Sequence, residues 1–153
     1  MPQDTPEEIR ERDEHYRSHA QDHVARYVAS GGTDGYDDNA LKVPTLILYT
    51  TGRRSGREVA TPIYYAESEG RYVVIASYAG ADAHPKWYLN LAENPNVEVQ
   101  VRDKRFAAVA RTAEGNEREA LWSLLADAYA FYREYADATD RLIPVVVLEP
   151  KKV

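Results

Sequence analysis

Three arginines, Arg53, Arg54 and Arg57, stand close together with Gly52, Ser55 and Gly56 between and beside them. Guanidinium forks, free backbone N–H groups and a hydroxyl in one short turn suit an anion such as phosphate or carboxylate. The spacing of a P-loop is absent. A basic hairpin tip kept soluble by charge is the other reading, although such a cluster is unexpected in a chain of 153 residues and net charge −6. A second set runs from Ser77 to Leu91, where a small-residue loop leads into His84-Pro85-Lys86-Trp87-Tyr88. The N–H groups at the start of a helix there favour electron-rich ligand atoms. Trp87 and Tyr88 offer flat surfaces, or else form the core face of that helix with Leu91. A third set is Tyr129, Tyr132 and Tyr135, which fan over roughly 120° of a helix and either wall a pocket or pack as an aromatic stripe. His15, His19 and His23 repeat at helical spacing, but zinc would need a further ligand, and no metal site is expected. His84 has no evident Ser and Asp partners for a triad.

These groups need elements to position them. Residues 6–30 read as a helix, with Ile9, Tyr16, Ala20, Val24, Tyr27 and Val28 near one face. Its charge makes it a lid or an outer layer, followed by a Gly/Asp/Asn-rich loop to Asn39. Strands are expected over 45–50, 58–66, 72–77, 97–102, 105–110 and 143–148. Pro62 puts the second at an edge or a bulge. The third, continuous in apolar residues, should be buried on both faces. A short helix takes Pro85 in its first turn and ends at Asn94-Pro95. Asn116 with Glu119 resembles a capping box that opens a helix running to about Ala138. Six mostly antiparallel strands with three helices predict an α+β fold on a small barrel.

Composition narrows the function. The chain has no Cys, which excludes disulfides, thiolate nucleophiles, Cys-zinc sites and iron–sulfur clusters. A sequence pI near 5.2 argues against nucleic acid as a partner. No apolar run approaches the ~18 residues of a membrane span. The residues from Met1 to Glu8 lack the basic-then-apolar order of a signal peptide, so a cytoplasmic location is expected. Tyr outnumbers Phe by 12 to 2, and Tyr favours pockets and interfaces.

Taken in order, these residues resemble the deazaflavin-dependent nitroreductase family. The likeness rests on Thr50 to Arg57, on Thr61-Pro62-Ile63-Tyr64-Tyr65 and on Ala76 to Leu91. It continues through Tyr129, Tyr132 and Tyr135 to Asp140-Arg141-Leu142-Ile143-Pro144-Val145-Val146-Val147. The resemblance covers about residues 42–150. It implies a split β-barrel that binds coenzyme F420, an 8-hydroxy-5-deazaflavin with a phosphodiester and an oligoglutamate tail. By resemblance, Arg53, Arg54 and Ser55 face the phosphate and tail. Thr61, Pro62, Ile63, Ile75, Ala76, Ser77 and Tyr78 lie along the cofactor, and Lys86, Trp87, Tyr88 and Asn90 close the other side. Tyr132 touches the deazaflavin, while Tyr129, Tyr135 and Ser77 shape the substrate pocket. Two departures stand out. Val59 occupies a position where the family commonly has Arg or Lys, which makes Arg57 the candidate substitute. Tyr78-Ala79 replaces a common Lys-Gly pair.

The activity implied is reduction of a conjugated acceptor (an enone, quinone or nitroaromatic) by hydride from reduced coenzyme F420. Ser77 and Tyr132 are the expected donors to the developing oxyanion. Two alternatives remain at this stage: a non-catalytic carrier of deazaflavin or fatty acid on the same barrel, and an FMN-dependent oxidoreductase. A small-molecule substrate is the expected partner, with monomer or homodimer both open. Membrane association is not implied, because the N-terminal helix is poorly matched. Residues 1–40 are expected to form an outer helix and loop, and residues 41–153 the deazaflavin-binding domain.

Overall fold

The computed structural model describes residues 5–152. Helix α1 (Pro6–Ala29) opens with Thr5 as its cap: the Thr5 hydroxyl accepts from the Glu8 N–H at 3.2 Å, and the Glu8 carboxylate accepts from the Thr5 N–H at 2.7 Å. Gly31 and Gly32, both left-handed, end it. The strands are β1 (Thr45–Thr51), β2 (Glu58–Tyr64), β3 (Ala66–Ser68), β4 (Arg71–Ile75), β5 (Asn96–Val101), β6 (Lys104–Thr112) and β7 (Val145–Pro150). The remaining helices are α2 (Lys86–Glu93), α3 (Gly115–Ala128) and α4 (Phe131–Asp137), with a 3₁₀ turn at Tyr78–Gly80.

All pairings are antiparallel, and the order is β2-β1-β5-β6-β7-β4-β3. This is a curled seven-stranded half-barrel, not the six-stranded barrel expected. The extra strand comes from the expected 58–66 run. Tyr64 pairs with Thr45, the first residue of β1, so β1 offers nothing further. The Tyr65 N–H then donates to the Pro44 carbonyl at 3.1 Å, and Ala66–Ser68 turns to β4 for a partner. The sheet keeps two edges, β2 and β3, and Pro62 sits on the first, where its missing N–H costs no ladder bond.

Two further expectations are corrected. The 116–138 helix divides, because Tyr129 is extended at φ −136, ψ 101. The break folds α4 back so that Tyr132 joins Leu125, Ala126, Ile143 and Val145 in one cluster. The capping box at Asn116 does not form: α3 begins at Gly115 with Glu114 before it, so Asn116 already lies inside the first turn.

Apolar residues fill both faces of the sheet's centre. Leu46, Leu48, Val74, Val99, Val146 and Leu148 pack inward with Trp87 and Leu91 of α2. Val73, Ile75, Val145 and Val147 pack outward on α3 and α4. β4 is thus buried on both sides, as its composition predicts. Helix α1 is an outer layer held at its C-terminal end. Tyr27 is fully buried against Ile47 and Tyr49. Its hydroxyl donates to the Thr45 carbonyl at 3.0 Å and accepts from the Arg102 N–H at 2.7 Å. Burial of such a ring contributes about 2 kcal/mol. Val28, expected on the packed face, is 47% exposed. The side chains of Ile9, Tyr16 and His15 lie outside the described residues. Among the described residues, no helix is long and apolar enough to cross a membrane.

Candidate functional site

The arginine turn is the β1–β2 hairpin loop. The Gly52 N–H donates to the Arg57 carbonyl and the Gly56 N–H to the Gly52 carbonyl, each at 2.8 Å. The Ser55 hydroxyl accepts from the Arg57 N–H at 3.2 Å and thereby holds the turn. A Cβ at Gly52 would lie 2.5 Å from the Ser55 Oγ, so a larger residue would turn that hydroxyl away from the Arg57 N–H. The turn is tied to α2: the Arg53 N–H donates to Asn90 Oδ1 at 3.1 Å, and Asn90 Nδ2 donates to Thr50 Oγ1 at 3.1 Å. Asn90 is itself buried, so its side chain serves this tie. Arg53, Arg54 and Arg57 are exposed. Among the described residues, none of the three pairs with a carboxylate. Fixed backbone with exposed cations that no described carboxylate pairs suits an anion.

Strand register sorts the β2 candidates. Val59, Thr61 and Ile63 lie opposite Thr50, Leu48 and Leu46, on the face that also meets α2. Pro62 lies opposite Ile47, on the face covered by α1. A ligand that follows Thr61 and Ile63 therefore meets a different face from the one Pro62 presents.

Ile75 and Ala76 are buried and belong to the core. Ser77 is half-buried at the start of a loop in which Tyr78, Ala79 and Gly80 all have positive φ, at 47°, 52° and 79°. A Cβ at Gly80 would meet the Tyr135 carbonyl and the Ala138 Cβ at 3.0 Å, so this loop and α4 are in direct contact. Trp87 joins the inner core, whereas Lys86 is exposed. Tyr88 is half-buried, with its hydroxyl 2.9 Å from Thr112 Oγ1 and its ring 4.9 Å from that of His84.

The three tyrosines do meet, but not on one helix. Phe131 is their hub, with ring centroids 5.8 Å from Tyr129, 4.4 Å from Tyr132 and 5.6 Å from Tyr135. A fourth tyrosine enters from β2: Tyr64 stands 6.0 Å from Phe131. The sequence reading assigned no role to it. Strand alternation held the signal, since Tyr64 must point away from Ile63 and Tyr65, both of which face the inner core. Tyr132 is 3% exposed, and burial holds its phenol well above the ordinary range, reinforced by Tyr64, Tyr129 and Tyr135. It is therefore a neutral hydroxyl near neutral pH, able to donate a proton in a hydrogen bond. Tyr129 and Tyr135 are half-buried.

Among the described residues, no cluster of metal-binding side chains occurs, and His23 Nε2 sits 2.6 Å from the Gly35 carbonyl. A concavity of about 410 Å³ adjoins the turn, lined by Thr50, Thr51, Gly56, Glu58, Glu98 and Lys151 among others, but by none of the three arginines.

The model of the F420H(2)-dependent quinone reductase family matches residues 19–150. The chain belongs to this family. An F420H(2)-dependent quinone reductase of Mycobacterium tuberculosis is 37% identical over 129 residues, which cover 82% of this chain and 86% of that protein. A solved F420-H2 dependent reductase, FDR-A, is 44% identical, with a TM-score of 0.64 over 69% of this chain and 94% of its own. A further solved structure, described as a domain-swapped dimer, is 37% identical, with a TM-score of 0.68 over 87% of this chain and 96% of its own. The family is one of oxidoreductases whose named cofactor is coenzyme F420. The resemblance to deazaflavin-dependent enzymes read from the motifs is thus borne out, whereas the roles of individual residues rest on geometry.

Proposed function

We propose that this protein reduces a quinone or a related conjugated acceptor with hydride from reduced coenzyme F420, and that the β1–β2 turn receives the coenzyme's anionic tail. The observation that carries the reading is the set of three guanidinium groups, none paired with a carboxylate among the described residues, on a turn locked to α2. A tail with several negative charges uses all three, whereas a single carboxylate or phosphate would use one. Val59 adds no charge at the strand start, and Arg57, on the same turn, takes that part. Thr61 and Ile63 on β2, the Ser77–Tyr78 segment and the Tyr88 ring line the path for the flat ring, with Lys86 exposed beside it.

When bound, the reduced deazaflavin supplies a hydride. The protein supplies orientation, a dry slot and a proton-donating hydrogen bond to the oxygen that gains charge. Tyr132 and Ser77 are the donors in this reading. The high pKa of Tyr132 keeps its proton in place for that role. Tyr129, Tyr135 and Tyr64 shape the acceptor's side of the slot. Residues 41–153 act as the coenzyme-binding domain and residues 1–40 as an outer layer, in a cytoplasmic protein whose substrate is a small molecule.

The test is parallel titration with oxidised coenzyme F420 and FMN, followed by single-turnover oxidation of the reduced coenzyme by a quinone. Binding of F420 alone, with turnover, is expected; stronger binding of FMN, or binding without turnover over a broad acceptor panel, overturns the reading. Tyr132→Phe should slow the single turnover by about tenfold and leave coenzyme affinity within a factor of about two. An unchanged rate would pass the donor role to Ser77.

A further inference from the structure

Arg141 belongs to the Asp140–Val147 motif, to which the coenzyme reading assigns nothing. It spends its guanidinium on a single loop. Nε donates to the Ala81 carbonyl at 3.0 Å, Nη1 to the Ala76 carbonyl at 3.1 Å and Nη2 to the Ser77 carbonyl at 2.8 Å. Nη1 also lies 2.9 Å from His84 Nδ1. The loop needs this help. With Tyr78, Ala79 and Gly80 left-handed in succession, its 3₁₀ turn satisfies the Ser77 and Tyr78 carbonyls, from the Gly80 and Ala81 N–H groups at 3.0 Å each, and the guanidinium takes the Ala76 and Ala81 carbonyls that flank it. A non-glycine residue held there is strained unless its surroundings impose the conformation. A second tie lies alongside. Thr139 Oγ1 donates to Asp82 Oδ1 at 2.6 Å and accepts from the Arg141 N–H at 3.1 Å.

A guanidinium has only donors, so His84 Nδ1 must present its lone pair, with any ring proton on Nε2. Burial, and then the Arg141 charge, hold His84 below its ordinary pKa. The groups around it are Arg141 from the segment before β7, the Tyr88 ring from α2 and, acting on Arg141, Asp82 of the same loop.

We propose that Arg141 is a positioning residue for the coenzyme: its planar fork holds the Ala76–His84 loop, and so Ser77 and Tyr78, in the shape that receives the deazaflavin ring, with His84 as the acid-sensitive jaw of the clamp. The ligand in this proposal rests on the coenzyme reading above; the clamp can be tested without coenzyme.

The first test is Arg141→Lys, which keeps the charge but replaces the fork by a point donor. In the coenzyme-free protein, amides of residues 77–84 should exchange with solvent about tenfold faster, with those of β1, β5 and β7 unchanged. The Kd for oxidised coenzyme, and the KM for reduced coenzyme, should rise about tenfold with a smaller change in kcat. Unchanged exchange together with affinity within twofold of the parent overturns the proposal.

The second test needs no Arg141 variant. In the parent, imidazole ¹⁵N spectra should show His84 unprotonated at Nδ1, and coenzyme affinity should fall as pH drops below about 6.5, the ordinary His value. The sign follows from the lowered pKa, since the neutral form makes the clamp and protonation removes the acceptor. His84→Asn, which offers an amide oxygen, should abolish that acid limb and bind more tightly than His84→Phe, which offers no acceptor. A protonated Nδ1 at neutral pH, or an acid limb that survives in His84→Asn, overturns the clamp. A parent that ignores the coenzyme while exchange and spectra behave as stated overturns the coenzyme reading instead.

Discussion

Two groups of arginines divide this molecule. On the sheet's outer side and edges, Arg71, Arg105 and Arg111 are all neutralised. Arg111 Nη2 donates to Glu117 at 2.8 Å and its Nε to Glu149 at 3.3 Å, and Arg71 reaches the same Glu117 at 3.1 Å. Arg105 donates to Glu98 at 3.0 Å, pairs with Glu58 and lies 3.6 Å above the Tyr49 ring. At the hairpin turn, Arg53, Arg54 and Arg57 have no such partners among the described residues. The chain has 25 acidic residues against 19 basic ones, so carboxylates are not scarce. Glu58, next to Arg57, pairs with Arg105 instead, and the backbone of the turn is tied down through Asn90. Paired arginines hold strands and helices together; unpaired ones on a fixed turn are available to a charged ligand.

The largest test of this contrast is the double substitution Arg53→Ala with Arg54→Ala. Each charge-assisted contact to a phosphate or carboxylate is worth about tenfold before screening, so affinity for the full coenzyme should fall between about 10- and 100-fold. Binding of a coenzyme fragment without phosphate and glutamates should hardly change, as isothermal titration of both ligands can show. An equal loss for the two ligands would mean that the turn supports the fold and not the tail. Raising salt should act in the same direction on the parent protein. Exposed charges are screened beyond about 8–10 Å at physiological ionic strength, so the Kd should rise about tenfold between low and high salt. A flat salt profile would count against the cradle.

The paired group should respond in the opposite way. Arg111→Met removes one of the two partners of Glu117 and the pairing with Glu149, and should lower Tm by about 2–4 °C with coenzyme affinity within twofold of the parent. A binding loss larger than the stability loss would erase the division between the two groups. The smallest expected effect is a pH effect. Arg111 and Arg71 hold the Glu117 carboxyl down at about 2 from an ordinary 4.5. A depressed folded pKa gives stability that is present above the ordinary value and lost as pH falls from about 4.5 toward about 2. The Tm difference between the parent and Glu117→Gln should therefore narrow across that window. A difference that stays constant would show that the ion pair contributes nothing.

Much of the site was legible because the chemistry is local. The Gly52–Arg57 turn, the short helix bounded by Pro85 and Asn94 and the edge position of Pro62 follow from residue types a few positions apart. The division of roles within those motifs was not legible. Asn90 and Trp87 turned inward to hold the turn and the core, because α2 packs on β1. Tyr64 entered the tyrosine cluster only because β2 ends beside α4. Arg141, 57 positions from His84, became its partner through the pairing of β4 with β7.

The sequence by itself determined most of the elements and, through its ordered motifs, the family. Alternating and continuous apolar runs set the strands, glycine and proline set their ends, and three arginines within five residues suit an anion. Only the tertiary structure decided which side chains meet. Whether the sheet closes depends on where β2 loses its partner at Tyr65. Whether Tyr132 is a wet or a buried phenol depends on the bend at Tyr129. Both are contests between backbone hydrogen bonds and burial across distant segments, and these are resolved only when the segments pack.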